Sequence, residues 1–348
     1  MPGVLLFSGC YEPPFDEGVK LVVHHLREEM ERLGPMTMAT TASGAPGDAV
    51  VIPAKPRGFH RCMRRLCKTV RPEAILYVPD ASLNRLSLAR CGLFRLAAGR
   101  LPIGMVTLQP NSFDFTVRLM LRLWRPDVVF AQAGGDPDLY RRYGMRYEVL
   151  PPAVDARRFR PAAGLEEKAA LRRRYNLPEG CKVCLHVGHI RRSRNMDWLL
   201  QVNLPADAHL VVVGSASRAL EQDLKRELEQ RGATVIDSFL PAVEEVYRLA
   251  DVYLFPVRSE KAAIEMPLSV LEAMACNLPV VTTPFGGLAQ CFRDTPGLYY
   301  AETQEAFQEA VAGVLDGGPC ATRAAVEPHT WQRLATTIWE TVRSNACR

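Results

Sequence analysis

The stretch that decides the fold is residues 251–283, DVYLFPVRSEKAAIEMPLSVLEAMACNLPVVTT. Two apolar runs, Asp251–Pro256 and Pro279–Thr283, flank a helical segment that has Pro267 near its start. Both runs are continuously apolar and do not alternate with polar residues, which is typical of strands buried on both faces of a parallel sheet. The stretch therefore predicts a strand–helix–strand unit of an α/β protein.

The same alternation recurs along the chain, as in the helix predicted from Val19 to Leu33, which stops at Gly34-Pro35. The predicted strands are Val4–Phe7, Ala74–Val78, Ile103–Leu108, Asp127–Ala131 and Tyr147–Leu150, then Lys182–Val187, His209–Val213, Ala233–Ile236, Asp251–Pro256, Pro279–Thr283 and Leu298–Tyr300. Because a loop-like stretch near residues 151–161 separates the two groups, we expect two facing, doubly wound Rossmann-like domains with a cleft between them. Their expected ranges are 1–155 and 156–325, with a C-terminal helix at 326–348 that packs back toward the first domain.

The composition of the 348 residues, 48% hydrophobic and 23% charged, excludes collagen-like, disordered and small disulfide-scaffold proteins. No apolar run approaches the ~18 residues of a membrane-spanning helix, and the N-terminus is interpreted as a strand and not a signal peptide. Ten cysteines scattered through apolar segments favour a reducing, cytoplasmic location. Cys181 and Cys184 form a lone CxxC without a second ligand pair, so we expect packed or surface thiols and no metal there.

Positive charge is concentrated in residues 55–125, which hold fourteen Lys or Arg against three acids, although the whole chain carries only +5. This excess indicates an ordinary solvated surface or attraction to an anionic acceptor or phospholipid; nucleic acid shares that chemistry but is not the expected partner. Within it, Phe115–Arg125 places three arginines at i, i+4 and i+7 on an otherwise apolar helix. Such a helix suits either a core position with a polar edge or a peripheral site at the inner face of a membrane.

Two loops that follow predicted strands suit a phosphate group, and such loops bind ligands in doubly wound sheets. Gly18 lies at the start of a helix that Asp16 is suited to cap, where phosphate can approach backbone amides, although a tight turn explains the glycine equally well. The loop from Gly188 to Asn195 holds three arginines before a helix that Asn195 is suited to cap. Guanidinium groups match phosphate oxygens in charge and geometry, so this loop predicts a diphosphate site, with solvated arginines as the alternative.

Glu272 is the carboxylate that most needs an explanation, since it lies in a run of apolar helical residues. An unpaired buried charge costs several kcal/mol, so Glu272 requires a partner. A hydroxyl-rich ligand such as ribose would supply one, and an arginine elsewhere in the chain is the alternative.

These segments resemble a known family. Residues 271–287, LEAMACNLPVVTTPFGG, are similar to the signature of the retaining nucleotide-sugar glycosyltransferases of family 4, whose fold, GT-B, consists of two facing Rossmann-like domains. The similarity extends to PPAVDARRFRP at 151–161, VGHIRRSRNMDWLL at 187–200, HLVVVG at 209–214, LADVYLFP at 249–256 and the late Trp331. The resemblance implies an enzyme that moves a hexose from a UDP- or GDP-sugar to an acceptor hydroxyl, with the nucleotide sugar as co-substrate and no other cofactor.

The resemblance also implies roles for individual residues. Glu272 would hold the donor ribose, and Arg194 would replace the family's lysine at the diphosphate. Glu265 would act as the family's first glutamate, although the family spacing of eight positions falls on Ile264. Arg194 and Glu265 are thus the implied catalytic residues. The other implied donor-binding residues are Gly18, Gly188, His189, Arg191, Arg192, Met266, Pro267, Leu268, Gly286 and Gly287.

Some positions depart from the family pattern. His189 stands where the family has an arginine, which leaves Arg191 or Arg192 to supply the second cation. The family's first-domain histidine has no match, and Gln109, with Asn111, occupies the comparable acceptor-side loop. The acceptor itself is not identified, but an anionic or lipid-linked acceptor would suit the basic half of the chain.

The implied chemistry needs no metal, because fixed arginines and a helix N-terminus can stabilise the leaving diphosphate as its charge develops. A rival motif, Asp136-Pro137-Asp138, resembles the D-x-D metal site of single-domain glycosyltransferases, but Asp136 as N-cap and Pro137 at the first helical position explain it better. Two other functions stay open. They are a nucleotide-sugar epimerase or hydrolase on the same fold, and a non-catalytic sugar- or nucleotide-binding protein.

Overall fold

The computed structural model describes residues 3–80, 82–111, 113–132, 137–178, 180–215 and 221–344. The chain forms two compact units, residues 1–151 together with 331–348, and residues 152–330. Each unit is built on a single parallel sheet with helices between the strands, which confirms the expected α/β class. Within the described ranges, no helix combines the length and the apolar character needed to cross a bilayer.

The first unit contains a seven-stranded sheet. Its strands are β1 (Val4–Ser8), β2 (Met36–Thr40), β3 (Val50–Val51), β4 (Ala74–Val78), β5 (Ile103–Thr107), β6 (Val128–Ala131) and β7 (Arg146–Val149). They pair in the order β3-β2-β1-β4-β5-β6-β7, and Val4 of β1 lies opposite Met36 and Ala74. The intervening helices are α1 (Gly18–Leu33), α2 (Pro56–Val70), α3 (Arg85–Ala98), α4 (Phe115–Trp124) and α5 (Pro137–Arg142).

The second unit contains a six-stranded sheet. Its strands are β8 (Lys182–Val187), β9 (Ala208–Val213), β10 (Thr234–Ile236), β11 (Val252–Phe255), β12 (Val280–Thr282) and β13 (Leu298–Tyr300), in the order β10-β9-β8-β11-β12-β13. Its helices are α6 (Leu165–Arg174), α7 (Asp197–Gln201), α8 (Gln222–Gln230), α9 (Glu244–Leu249), α10 (Leu268–Ala275), α11 (Leu288–Phe292), α12 (Gln304–Leu315) and α13 (Thr322–Val326). The carboxyl ends of β8, β11 and β12 are therefore neighbours, which brings their following loops together.

The strand predictions are confirmed at all eleven positions, with ends that shift by at most one residue. Strands β2 and β3 were not predicted. The β2 sequence MTMAT mixes polar and apolar residues, and β3 has only two residues, at the sheet edge. Neither has the continuous apolar run that marks a central parallel strand, so pairing with β1 and β2 respectively decides their conformation.

An aromatic cluster fixes α2 and α3 on one face of the first sheet. Phe7 of β1 meets Phe59 of α2 and Phe94 of α3 edge-on, with ring centroids 5.4 and 5.3 Å apart. Such pairs add ~0.5–1.5 kcal/mol beyond the area that they bury. Helix α4 packs beside α3 at Gly92, where a Cβ would lie 3.0 Å from the Trp124 ring, so glycine gives this contact its close fit. Helices α2, α3 and α4 thus form one layer.

The C-terminal helix α14 (Trp331–Ser344) belongs to the first unit, where it packs on α1 and β4. Trp331 stacks on His25 of α1 with ring centroids 4.6 Å apart, and Arg343 forms an ion pair with Glu73 at 2.6 Å. Ile338 is completely buried between these anchors. Helix α14 is therefore part of the hydrophobic core of the first unit.

Replacing Ile338 by alanine is expected to lower the free energy of unfolding by about 2–5 kcal/mol, because the truncation leaves a cavity. Glu340→Ala, on the exposed side of the same helix, is the matched control and should change it by less than about 0.5 kcal/mol. Urea denaturation followed by circular dichroism measures both. Equal, small effects would show that α14 is not docked as described.

Candidate functional site

The loop after β8 is held at both ends. Ile190 and Met196 are buried, and between them residues Arg192–Arg194 form a short 3₁₀ helix. Asn195 follows with a φ of 59° and donates its side-chain amide to the carbonyl of Pro256, 2.9 Å away. The expectation that Asn195 caps the next helix is therefore wrong, because α7 begins at Asp197 and Asn195 instead ties this loop to the one after β11.

Arg194 lies at the centre of this loop. Its side chain is only 9% exposed, and its Nε donates to the carbonyl oxygen of Ala262 at 3.1 Å. No carboxylate forms an ion pair with it in the described part of the chain. Burial, together with a smaller effect of the nearby positive charge of Arg191, lowers the pKa of Arg194 to about 10. Arg194 is thus a buried cation that no carboxylate of the described residues neutralises.

Gly188 makes room for this guanidinium. A Cβ at position 188 would lie 2.3 Å from Nη1 of Arg194, which is closer than two atoms can approach without a shift. Glycine at this position therefore lets the guanidinium lie directly against the end of β8, and a larger residue would displace it. This packing gives the predicted Gly188 a specific physical role.

The three other candidate residues of the loop differ in exposure and in their contacts. Arg192 is exposed, and its guanidinium binds the carboxylates of Asp197 and Glu227, so its expected place at a diphosphate is not supported by its contacts. Arg191 is half-buried and close enough to Arg194 to affect its pKa. His189 is also half-buried. Of the two arginines left open by the sequence, Arg191 is the one that lies beside Arg194.

Glu272 on α10 has a tyrosine as its partner. The hydroxyl of Tyr247 on α9 donates to Oε2 at 2.7 Å, and no ion pair to Glu272 forms within the described ranges. The arginine partner that the sequence left open as an alternative is therefore absent from this part of the chain. The carboxyl group remains partly exposed but is crowded by protein, and this desolvation raises the pKa of Glu272 to about 7.

Glu265 lies next to the glycine pair. The amide of Gly287 donates to the carbonyl oxygen of Glu265 at 3.0 Å, and the Glu265 side chain is buried. Gly286 has a φ of 56°, and a Cβ there would lie 2.0 Å from the same carbonyl oxygen, so no other residue fits. The residues after Glu265, namely Met266, Pro267 and Leu268, are buried at the start of α10. The loops after β11 and β12 are thus joined at Glu265.

The remaining predicted positions lie in the first unit. Gly18 is the first residue of α1, with Glu17 and not Asp16 at the N-cap position. Asn111 is used by the fold, because its Oδ1 accepts from the amide of Leu83 and its Nδ2 donates to the Tyr140 hydroxyl. Gln109, in the same loop after β5, is half-buried and stays the acceptor-side candidate.

The rival metal motifs are only partly within the described residues. Asp136 lies outside them, and Asp138 is exposed on α5, where it pairs with Arg141. In the CxxC pair, the Cys181 thiol donates to the carbonyl of Pro178, and Cys184 lies in the core of the second unit.

Sequence reasoning missed His186 and Tyr247. His186 of β8 is fully buried, its Nδ1 lies 2.8 Å from the carbonyl oxygen of Leu254, and its Nε2 has no partner. Burial lowers the pKa of His186 to about 4, so the ring is neutral and Nε2 is a hydrogen-bond acceptor. That atom lies 3.3 Å from where a Cβ on Gly188 would stand, which places it in the Arg194 loop. The one available signal was a polar residue in the apolar run KVCLHV.

Comparison with known proteins finds a matching family for the second unit, and sequence relatives. Residues 181–317 match the family described as Glycosyl transferases group 1, so this segment is a glycosyltransferase group 1 domain, as the sequence resemblance suggested. D-inositol 3-phosphate glycosyltransferase of Geodermatophilus obscurus is 36% identical over 174 residues, which are 45% of this chain and 37% of that protein. The chain spans less than half the length of the curated relatives that it matches.

Two solved structures superpose on nearly the whole chain. Sucrose-phosphate synthase from Thermosynechococcus elongatus has a TM-score of 0.77 at 17% identity and covers 99% of both chains. Anabaena HepE in complex with UDP has a TM-score of 0.75 at 16% identity, over 98% of this chain and 100% of that one. These similarities confirm the GT-B fold class.

The raised pKa of Glu272 predicts a pH-dependent stability. The group titrates near 4.5 in an unfolded chain and near 7 in the folded one, so the folded state binds more protons between these values and stability falls as pH rises through them. The substitution Glu272→Gln removes the titrating group and with it this fall in stability. From pH 5 to pH 8 its stability relative to wild type should rise by roughly 1–3 kcal/mol. Glu309→Gln, an exposed carboxylate on α12, should show no such trend, and a flat difference for Glu272→Gln would refute the desolvation.

Proposed function

We propose that this protein, with the glycosyltransferase group 1 domain at residues 181–317 holding the donor, moves a sugar from a nucleoside-diphosphate sugar to an acceptor hydroxyl. The observation that carries the proposal is the buried guanidinium of Arg194, which no described carboxylate neutralises. A buried charge is costly unless it is paired, so an anion from outside the chain would stabilise it. The diphosphate of a nucleotide sugar is such an anion.

Arg194 would act on the leaving group. Cleavage of the bond between the sugar and the diphosphate leaves its electron pair, and hence negative charge, on the diphosphate oxygen. Because Nε of Arg194 is already held by Ala262, the guanidinium needs little reorganisation to meet that charge. Arg191 adds a second positive charge, which repels Arg194 when the two are alone but would reinforce it around a diphosphate.

Glu272 would bind the donor ribose. Oε2 accepts from Tyr247, which leaves Oε1 to accept from ribose hydroxyls. The ionised carboxylate is the better acceptor, since hydrogen bonds to charged groups contribute ~1.5–3 kcal/mol. With a pKa of about 7, this contribution would weaken as the pH falls below neutrality. The hydrogen bond from Tyr247 would keep the Glu272 side chain oriented in both its ionised and its protonated form.

The stereochemistry, the independence from metal, the donor and the acceptor are proposed from the family resemblance and from the charged residues of the chain. Transfer would retain the anomeric configuration, with the leaving phosphate accepting the acceptor's proton, and the arginines would supply the positive charge that other enzymes take from a metal ion. A UDP-sugar is the first donor to test, since HepE was solved with UDP, and a GDP-sugar is the second. The relatives named for D-inositol 3-phosphate support an anionic acceptor, which suits the basic first unit.

The direct experiment incubates the full chain with UDP- and GDP-hexoses, with and without phosphorylated acceptors such as D-inositol 3-phosphate, in the presence and absence of a chelator. Acceptor-dependent release of nucleoside diphosphate that survives chelation supports the proposal. A changed sugar without release indicates an epimerase, and release without acceptor indicates a hydrolase. Binding without turnover indicates a binding protein. Each of the last three results would overturn the transferase assignment.

Arg194→Met keeps most of the buried volume and removes the charge. It is expected to lower kcat/KM for the donor by about 10²–10³-fold, the effect of losing one group that stabilises transition-state charge. Arg192→Gln is the matched comparison, because it removes an arginine from the same loop whose guanidinium faces Asp197 and Glu227. It should leave kcat/KM within about twofold of wild type. A large loss of kcat/KM in Arg192→Gln with little loss in Arg194→Met would assign the diphosphate role to Arg192 instead.

Glu265→Ala is expected to reduce turnover roughly tenfold or more while nucleotide affinity changes little, because Glu265 would contact the transferred sugar and not the nucleotide. Glu260→Ala is the control, since Glu260 is exposed whereas Glu265 is buried beside Gly286 and Gly287. Steady-state kinetics and nucleotide titration separate the two quantities. Normal turnover in Glu265→Ala together with an inactive Glu260→Ala would show that the loop is aligned incorrectly.

A further inference from the structure

The exposed apolar side chains of this protein are concentrated on two adjacent helices. Among the described residues, ten large hydrophobic side chains are exposed, and six of them lie on α3 and α4. They are Leu86, Leu96, Phe115, Leu119, Leu123 and Trp124. Single exposed leucines are ordinary on protein surfaces, but a cluster of this size on neighbouring helices marks an interaction site. We call these six residues the apolar patch.

Helix α4 shows the arrangement most clearly. Its buried side chains are Val117 and Leu121, which face the core of the first unit. At about 100° per residue, the opposite face carries Phe115, Leu119 and Leu123, which are 83%, 50% and 70% exposed. The expectation of a core helix whose polar edge reaches solvent is therefore wrong for this helix. Its solvent-facing side carries an apolar stripe with arginines beside it.

Cations surround the apolar patch. Arg118 and Arg122 lie beside the stripe of α4, and Arg125 follows its last turn. On α2, next to α3, the side opposite the buried Phe59, Met63 and Cys67 is mostly basic. Its exposed basic residues are Arg57, Arg61, Arg64, Arg65 and Lys68, and the other exposed residues of this helix are Pro56 and Thr69. None of these eight cations forms an ion pair with another described residue.

The few acids of the region do not offset this charge. Asp114 is paired with Arg85 at 2.7 Å, and Glu73 is paired with Arg343 at 2.6 Å. The layer of α2, α3 and α4 therefore presents leucine and aromatic side chains beside unpaired arginines. Both kinds of group face away from the core. A partner with an anionic surface and an apolar interior would stabilise both, because the arginines would contact the anionic groups and the apolar side chains would enter the interior.

We propose that the apolar patch and its flanking arginines dock this protein on the surface of an anionic lipid bilayer. At a membrane interface, leucine and phenylalanine side chains enter the acyl boundary while arginines contact phosphate groups. Nucleic acid would neutralise the arginines but offers nothing to Leu119 and Leu123. A second copy of the chain would bring like charges together. The bilayer is the partner that satisfies both observations, and the inference does not depend on the proposed transferase activity.

Co-sedimentation of the full chain with vesicles tests the surface directly. The protein should bind phosphatidylcholine vesicles that contain phosphatidylserine, more strongly at low salt than at high salt, and should bind pure phosphatidylcholine weakly. Leu119→Ser combined with Leu123→Ser should lower the partition coefficient more than tenfold at both salt concentrations. Arg122→Gln should lower it about fivefold at low salt only, the equivalent of ~1 kcal/mol for one basic residue near the surface.

Two variants in the second unit serve as matched controls. Leu165→Ser replaces a leucine that is 86% exposed on α6, and Arg231→Gln replaces an exposed arginine after α8. Both should bind vesicles as wild type does. Because all substituted residues are exposed, circular dichroism should show every variant folded. Equal losses in Leu165→Ser and in the double variant, or no binding of the wild type to phosphatidylserine vesicles at low salt, would overturn the proposal.

Tryptophan fluorescence provides an independent readout. Trp124 lies in the apolar patch and is 38% exposed, whereas Trp198, Trp331 and Trp339 are buried. Anionic vesicles should shift the emission of the wild type to shorter wavelength, and Trp124→Phe should abolish that shift. Duplex DNA that binds equally to the wild type and to the Leu119/Leu123 double variant, with no shift on vesicles, would assign the arginines to nucleic acid instead. Self-association lost in the double variant, again without a shift, would assign the patch to a second copy.

Discussion

The burial of the Arg194 charge beside Gly188 is the constraint on which the loops at the carboxyl edge of the second sheet depend. The guanidinium occupies the space that a side chain at position 188 would fill, and its Nε is held by the carbonyl of Ala262. Asn195 bonds Pro256, and Gly287 bonds Glu265. These contacts join the loops that follow β8, β11 and β12, three adjacent strands. A parallel sheet brings the loops near each other, and the hydrogen bonds then fix them as one unit.

Three ionisable groups of the second unit, two buried and one partly exposed, are stabilised in three different ways. His186 is neutral, since burial lowers its pKa and a backbone carbonyl holds its Nδ1. Glu272 has a raised pKa and a tyrosine hydroxyl as partner. Arg194 stays charged, with only a carbonyl oxygen bound to its Nε. Of the three, only Arg194 keeps a full charge at neutral pH without a counter-charge, which is why it defines the electrostatics of the site.

Arginine side chains have two different roles in this protein. Arg172 pairs with Asp251 in the second unit and Arg343 pairs with Glu73 in the first, so these arginines belong to the folded structure. The arginines on the outward side of α2 and α4 have no carboxylate partner among the described residues, and they lie on the layer that carries the exposed leucines. Such a surface contributes nothing to the stability of the unit itself. Its composition is explained by an external partner that is both anionic and apolar.

The sequence by itself determined the α/β class, eleven strands, the loops that carry Arg194 and Glu265 and the helix that carries Glu272, because continuous apolar runs, strand-end loops and helical spacing are local patterns. Strand β3 and the Tyr247 partner of Glu272 were decided by the tertiary structure, since both depend on residues distant in the chain. The same holds for the partners of Arg192, because its guanidinium binds carboxylates on α7 and α8. The outward face of α4 was also undetermined: an apolar helix pattern specifies two candidate faces, and only packing against the sheet selects which one is buried.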